Sequence, residues 1–139
     1  MRLHATAVAR RTRVGWRAVL LRGPSGAGKS DLALRLICQG WRLVGDDYVE
    51  AWRSGDGLFV SAAETIAGLI EVRHLGVTPL PALPSARAAV LIDCVREAER
   101  LPEPAHEMIE GVPLQRVELV ALEPSAPAKV DLALRRALS

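Results

Sequence analysis

Lysine is almost missing from this chain. Only Lys29 and Lys129 occur, although Lys and Arg together number 18, so arginine carries nearly all the basic charge. Aromatic residues are scarce at 4%. Leucine, valine, isoleucine and alanine therefore have to fill the core of a chain in which 50% of residues are apolar. The two cysteines, Cys38 and Cys94, form no C-x-x-C pair. That removes zinc-ribbon and thioredoxin-type readings and points to a reduced, cytoplasmic protein. The apolar runs are too short for a membrane helix. The N-terminal stretch has arginines but no signal-peptide apolar segment. A formal net charge of +2 argues against a protein that coats nucleic acid. At 139 residues the chain suits a single domain, residues 1–139.

Against that background one stretch stands out: Gly23-Pro24-Ser25-Gly26-Ala27-Gly28-Lys29-Ser30. It fits the phosphate-binding pattern G-x-x-x-x-G-K-[ST]. The apolar Val19-Leu20-Leu21 precede it as a short strand would, and a helical pattern runs from Asp31 to Gln39. Glycines let the backbone curl so that N–H groups converge on a phosphate. The helix start that follows favours an anion through its free N–H groups and dipole. Lys29 would reach the outer phosphates and the Ser30 hydroxyl would hold Mg²⁺.

Read in order, residues 2–8 predict a strand carrying His4. The basic stretch 9–15 predicts a hairpin tip, and residues 16–22 the strand into the loop. Leu32, Ala33, Leu36 and Ile37 share one face of the helix, and Gly40 closes it. Residues 41–44 predict a strand ending at Asp46-Asp47, where ligands sit in open α/β sheets. Ser54-Gly55-Asp56-Gly57 predicts the turn of a hairpin. Residues 61–78 hold Glu64, Glu71, Arg73 and His74 among apolar neighbours. Prolines 79, 81 and 84 predict a stiff connector, residues 88–93 a buried strand, and 96–106 a charged loop. Two further strands and a C-terminal helix with Pro127 near its start complete the chain. Strands outnumber helices, so the expected fold is α/β with a mixed, strand-rich sheet and two main helices.

Phosphoryl transfer also needs an acidic magnesium ligand and a group to take the acceptor's proton. Two places compete for the acidic role. One is Val90-Leu91-Ile92-Asp93, an apolar strand ending in aspartate. The other is Asp46-Asp47, whose adjacent carboxylates could split the work. Spacing alone does not choose.

A resemblance does choose. Residues 23–36, then Gly40 to Glu50 with Asp46 and Asp47, then Leu69-Ile-Glu71-Val-Arg73-His-Leu-Gly76-Val match three blocks of HPr kinase/phosphorylase in order and spacing. The chain thus resembles the catalytic domain of that family, in a short form without the N-terminal domain. The resemblance implies a P-loop kinase domain of the HPr kinase and phosphoenolpyruvate carboxykinase type. It implies ATP and Mg²⁺ as cofactors and phosphorylation of a serine on HPr, the phosphocarrier of the sugar phosphotransferase system. It also implies the reverse, phosphate-driven reaction releasing pyrophosphate, and a hexameric assembly. By the same resemblance Asp47, with Asp46 beside it, handles the serine proton. Lys29 binds phosphate, Ser30 and Glu71 hold magnesium, and His4 is the histidine before the loop. The sequence departs from the family where a Gly-rich, arginine-bearing loop is shortened to residues 79–85, leaving Arg87 as the nearby catalytic arginine. Arg100 lies where the family's dephosphorylation loop falls. The arginine-rich C-terminal segment is reduced to residues 124–129. Two other readings remain: a small-molecule P-loop kinase, which would need an arginine-rich lid and Asp93 as magnesium ligand, and a non-catalytic nucleotide-binding regulator, which the intact Lys29, Ser30 and aspartates disfavour.

Overall fold

The computed structural model describes residues 1–63 and 67–139; Glu64 lies outside them. In chain order the elements are β1 (Arg2–Leu3), β2 (Thr6–Thr12), β3 (Gly15–Arg22), α1 (Lys29–Ile37), β4 (Arg42–Gly45), β5 (Val49–Ser54) and β6 (Gly57–Ala62). There follow β7 (Leu69–Val72), β8 (Gly76–Pro79), β9 (Ser85–Cys94), β10 (Ala105–Ile109), β11 (Val112–Leu119) and α2 (Ala126–Ala137). The expected mixed, strand-rich architecture with two helices is what forms.

The main sheet runs β1-β5-β6-β9-β3-β2-β4. β9 is its centre. One edge of β9 lies parallel to β3 from Arg17↔Arg87 to Arg22↔Asp93. Its other edge is shared: Ser85–Arg87 pair antiparallel with β6, and Val90–Cys94 pair parallel with β11. The sheet forks there and curls.

Curling requires two apolar faces, and alternation supplies them. On β3, Val19 and Leu21 face the helices, while Ala18 and Leu20 face the opposite core. On β9 a bulge shifts that alternation by one residue: Ala18 pairs with Ala88 and Val19 with Val90, leaving Ala89 unpaired. One extra residue reverses the facing of everything after it. Ala86 and Ala88 therefore point into the same core as Leu91, while Val90 and Ile92 join the helical side. The second core is lined by Ala5, Ala7, Ala9, Ala18, Ala51, Ala86 and Ala88. Small side chains let the curled faces approach, which is how a chain poor in aromatics still packs tightly.

Helix α1 buries Leu32, Ala33, Leu36 and Ile37. It stops at Gly40, whose φ is 100°. The Gly40 N–H bonds to the Ile37 carbonyl at 3.0 Å and the Trp41 N–H to Leu36 at 3.2 Å, the paired bonds of a glycine-terminated helix. Among the described residues no helix is long and apolar enough to cross a membrane. Residues 69–79, which gave no strand signal in the sequence, form the separate β7–β8 hairpin. The predicted strand over 2–8 is broken: His4 falls in the gap between β1 and β2.

Candidate functional site

The loop between β3 and α1 is shaped by close approach. A Cβ on Gly23 would sit 2.8 Å from the Cys94 carbonyl oxygen at the end of β9, so no larger residue fits while loop and sheet stay this close. Gly28, with φ 94°, is the residue that starts α1, and no side chain caps the helix there. The first N–H groups of α1 are thus left for an anion. Lys29 is only 8% exposed, and its Nζ donates to the Gly23 carbonyl at 2.7 Å. Its ammonium is held across the loop. This cradle fits the phosphate chain of a nucleotide.

The acidic pair lies where β4 leaves the sheet. Asp46 is 8% exposed; its Oδ1 accepts from Ser30 Oγ at 3.2 Å and from Thr6 Oγ1 at 2.9 Å. Asp47 is open, its side chain 60% exposed, with Oδ1 2.9 Å from His4 Nε2. His4 stacks on Tyr48 with ring centroids 4.8 Å apart. Between the two carboxylates the backbone turns sharply. The Tyr48 N–H donates to the Asp46 carbonyl at 2.7 Å, and Asp47 at the centre has φ 67°. This is the rare, strained form of three-residue turn, and a left-handed non-glycine residue costs about 1 kcal/mol. The two carboxylates the sequence left equivalent are therefore distinct. Asp46 is buried against the loop hydroxyl, and Asp47 faces solvent beside a histidine.

The residues present fit a magnesium ion on chemical grounds. The Ser30 hydroxyl and the Asp46 carboxylate are hard oxygen donors already within hydrogen-bonding distance of each other. Glu71, the other expected magnesium residue, stands exposed on β7 opposite Val77. The hairpin packs against α1, but among the described residues no three His, Cys, Asp or Glu side chains gather around one point.

Asp93 ends β9 beside the loop and is fully engaged. Arg22 Nε donates to it at 2.8 Å and Arg116 Nε at 2.5 Å. Arg22 also forks onto Glu107 at 2.6 and 2.8 Å. Burial would raise the Asp93 pKa, but the bonds and charges of the two guanidiniums outweigh it and the carboxyl lies below its ordinary value. Glu107 is lowered chiefly by its bond from Arg22. Cys94, beneath Gly23, has its thiol pushed up to about 11 by burial.

Arg87, the expected catalytic arginine, lies away from the loop within this chain. It sits at the start of β9, beside Arg17 on β3 and 3.4 Å from Asp56. Six residues of extended strand, about 20 Å, separate it from Asp93 and the phosphate loop, and it lines a groove at the far end of the sheet with the end of α2. The shortened 79–85 connector delivers it to the start of β9 rather than the mouth of the site. Arg73 follows β7, and Arg100 lies in the exposed loop before β10. Thr6, Tyr48, Arg22, Arg116 and Glu107 were not singled out in the sequence. Each partner lies far along the chain, and the single available signal was the arginine excess itself.

A helix-opening phosphate loop on a curled mixed sheet, with a divided carboxylate pair beside it, defines an α/β fold of the P-loop kinase-domain type. Residues 12–89 match the model of the HPr Serine kinase C-terminal domain, and the chain belongs to that family. An HPr kinase/phosphorylase from an Exiguobacterium species is 46% identical over 71 residues, covering 50% of this chain and 23% of the relative. One from Leptothrix cholodnii is 36% identical over 114 residues, 71% of this chain and 35% of the relative. The chain thus spans about a quarter to a third of the length of these curated relatives. The structure of the HPr(Ser) kinase/phosphatase from Coxiella burnetii superposes with a TM-score of 0.81 at 21% identity, covering 98% of this chain and 95% of that one, and shares the fold.

Proposed function

We propose that this chain is an ATP-dependent protein-serine kinase domain acting on an HPr-like phosphocarrier. The observation that carries the reading is the run of hydrogen bonds from Ser30 through Asp46 and Thr6 to Asp47. It joins a phosphate cradle to an exposed carboxylate that a protein substrate can reach. A serine hydroxyl is a weak nucleophile and gains from a carboxylate within hydrogen-bond reach. Asp47 takes that proton, and His4 orients it. Lys29 and the N–H groups of α1 hold the phosphates, and Ser30 and Asp46 hold magnesium, with Glu71 approaching from the β7–β8 hairpin. When bound, magnesium–ATP supplies the phosphoryl group and offsets its developing charge. Asp93, bound by two arginines, is poorly suited to the ligand role that a small-molecule kinase would demand of it.

The same reading has the protein act in the cytoplasm, as a hexamer, and return the phosphoryl group to inorganic phosphate as pyrophosphate. The test is incubation with labelled ATP, Mg²⁺ and purified HPr, followed by excess phosphate. Label on a carrier serine is the expected result. No label on any serine of the carrier overturns the reading. Label that phosphate fails to remove leaves a kinase without the reverse activity.

A further inference from the structure

Thr6 is a buried polar residue, fully screened from solvent, at the start of a strand whose neighbours Ala5, Ala7 and Val8 are apolar. Nothing in packing calls for a hydroxyl there. Its hydroxyl is fully used. A carboxylate can only accept, so the single Thr6 proton goes to Asp46 Oδ1 at 2.9 Å. The lone pairs then face the Asp47 N–H, which donates to Thr6 Oγ1 at 3.1 Å. One hydroxyl grips the strained turn from both sides, the side chain of Asp46 and the backbone of Asp47.

We propose that Thr6 is a positioning residue that locks the Asp46-Asp47-Tyr48 turn, sending Asp46 to the loop hydroxyl of Ser30 and Asp47 to His4. Unlocked, the turn relaxes from φ 67° towards ordinary backbone, and Asp47 swings away from His4. The β2–β4 register break between Ala7 and Val8 marks where the strands shift to bring Thr6 opposite the turn. This inference rests on the kinase reading for its catalytic consequence but not for its structural content.

The experiment compares Thr6→Val, which keeps the shape and loses the hydroxyl, with Thr6→Ser, which keeps the hydroxyl. Two readouts are taken: hydrogen exchange of the Asp47 amide by NMR, and kcat against KM for carrier phosphorylation. Loss of a hydrogen bond to a charged group predicts kcat down about ten- to a hundredfold in Thr6→Val, with KM for the carrier within about twofold. The Asp47 amide should exchange about tenfold faster. Thr6→Ser should restore both. Unchanged Asp47 exchange in Thr6→Val overturns the proposal, as does a Thr6→Ser as impaired as Thr6→Val. If Thr6→Val does not fold, Thr6→Cys, a weak donor of similar size, makes the same comparison. A wild-type protein that phosphorylates no carrier sinks the kinase reading alone, because the exchange comparison still decides the role of Thr6.

Discussion

At the scale of single residues, three aspartates near the loop live in three different environments. Asp47 is open and paired with His4, and Asp46 is buried against Ser30. Asp93 is clamped between Arg22 and Arg116. Replacing Asp47 by Asn removes the proton acceptor while keeping the shape. Carrier phosphorylation should fall about 10²- to 10⁴-fold with nucleotide binding retained, which steady-state kinetics and a nucleotide titration measure together. Asp93→Asn should leave most of the activity and instead cost stability of about 2 kcal/mol, because two partly buried guanidiniums lose their shared partner. Denaturant unfolding reads that out. The lowered Asp93 and Glu107 pKa values fix the sign of the acid response. Their stabilisation is complete above the ordinary carboxylate range near about 4 and is lost as pH falls through the lower folded values. Acid unfolding of the wild type should therefore steepen below about pH 4, and the Asp93→Asn curve should be flatter there. A parallel pair of curves would contradict this account of the network.

Among the elements, the ones that announce themselves do so through local rules. The phosphate loop, the start and face of α1, its stop at Gly40 and the β5–β6 turn all follow from residues a few positions apart. The β7–β8 hairpin did not, because Leu75 and Val77 are apolar yet exposed, and no alternation survives. Thr6 was invisible for a related reason. A threonine in a strand reads as a β-branched strand former, and its partners lie 40 and 41 residues away. That Arg87 falls at the far end of β9 could not be read from the sequence, because distance along the chain does not say which end of a strand a residue occupies. Gly23, at the start of the phosphate loop, and Gly40, at the end of α1, make opposite forecasts. Gly23→Ala places a Cβ against the backbone of β9 and should abolish nucleotide binding, tested by a fluorescent nucleotide titration. At Gly40 a Cβ would meet nothing within 4 Å, so Gly40→Ala should cost only the left-handed strain, about 1 kcal/mol, and leave binding intact.

For the whole molecule, two cores lie on either side of one curled sheet. The helical core holds Leu36 and the alanine-rich core holds Leu91, each nearly or fully buried. Leu91→Ala or Leu36→Ala should each cost about 2–5 kcal/mol, measurable by thermal or chemical unfolding. Because β9 contributes to both faces, its loss affects both cores at once. β9 also has a kinetic consequence. Most of the candidate site, from His4 to Asp47, comes from β2, β3, α1 and β4, early in the chain, while the backbone that shapes the phosphate loop comes from the end of β9. Until residues 85–94 have been synthesised and docked, β3 and β6 each present an unpaired apolar edge, the kind of surface on which chains join one another. A nascent chain that stalls before β9 would carry an open sheet and a phosphate loop still lacking the Cys94 backbone that Gly23 packs against. The aggregation risk of this protein is thus concentrated in the interval before β9 docks, which closes the sheet and shapes the phosphate loop in one step.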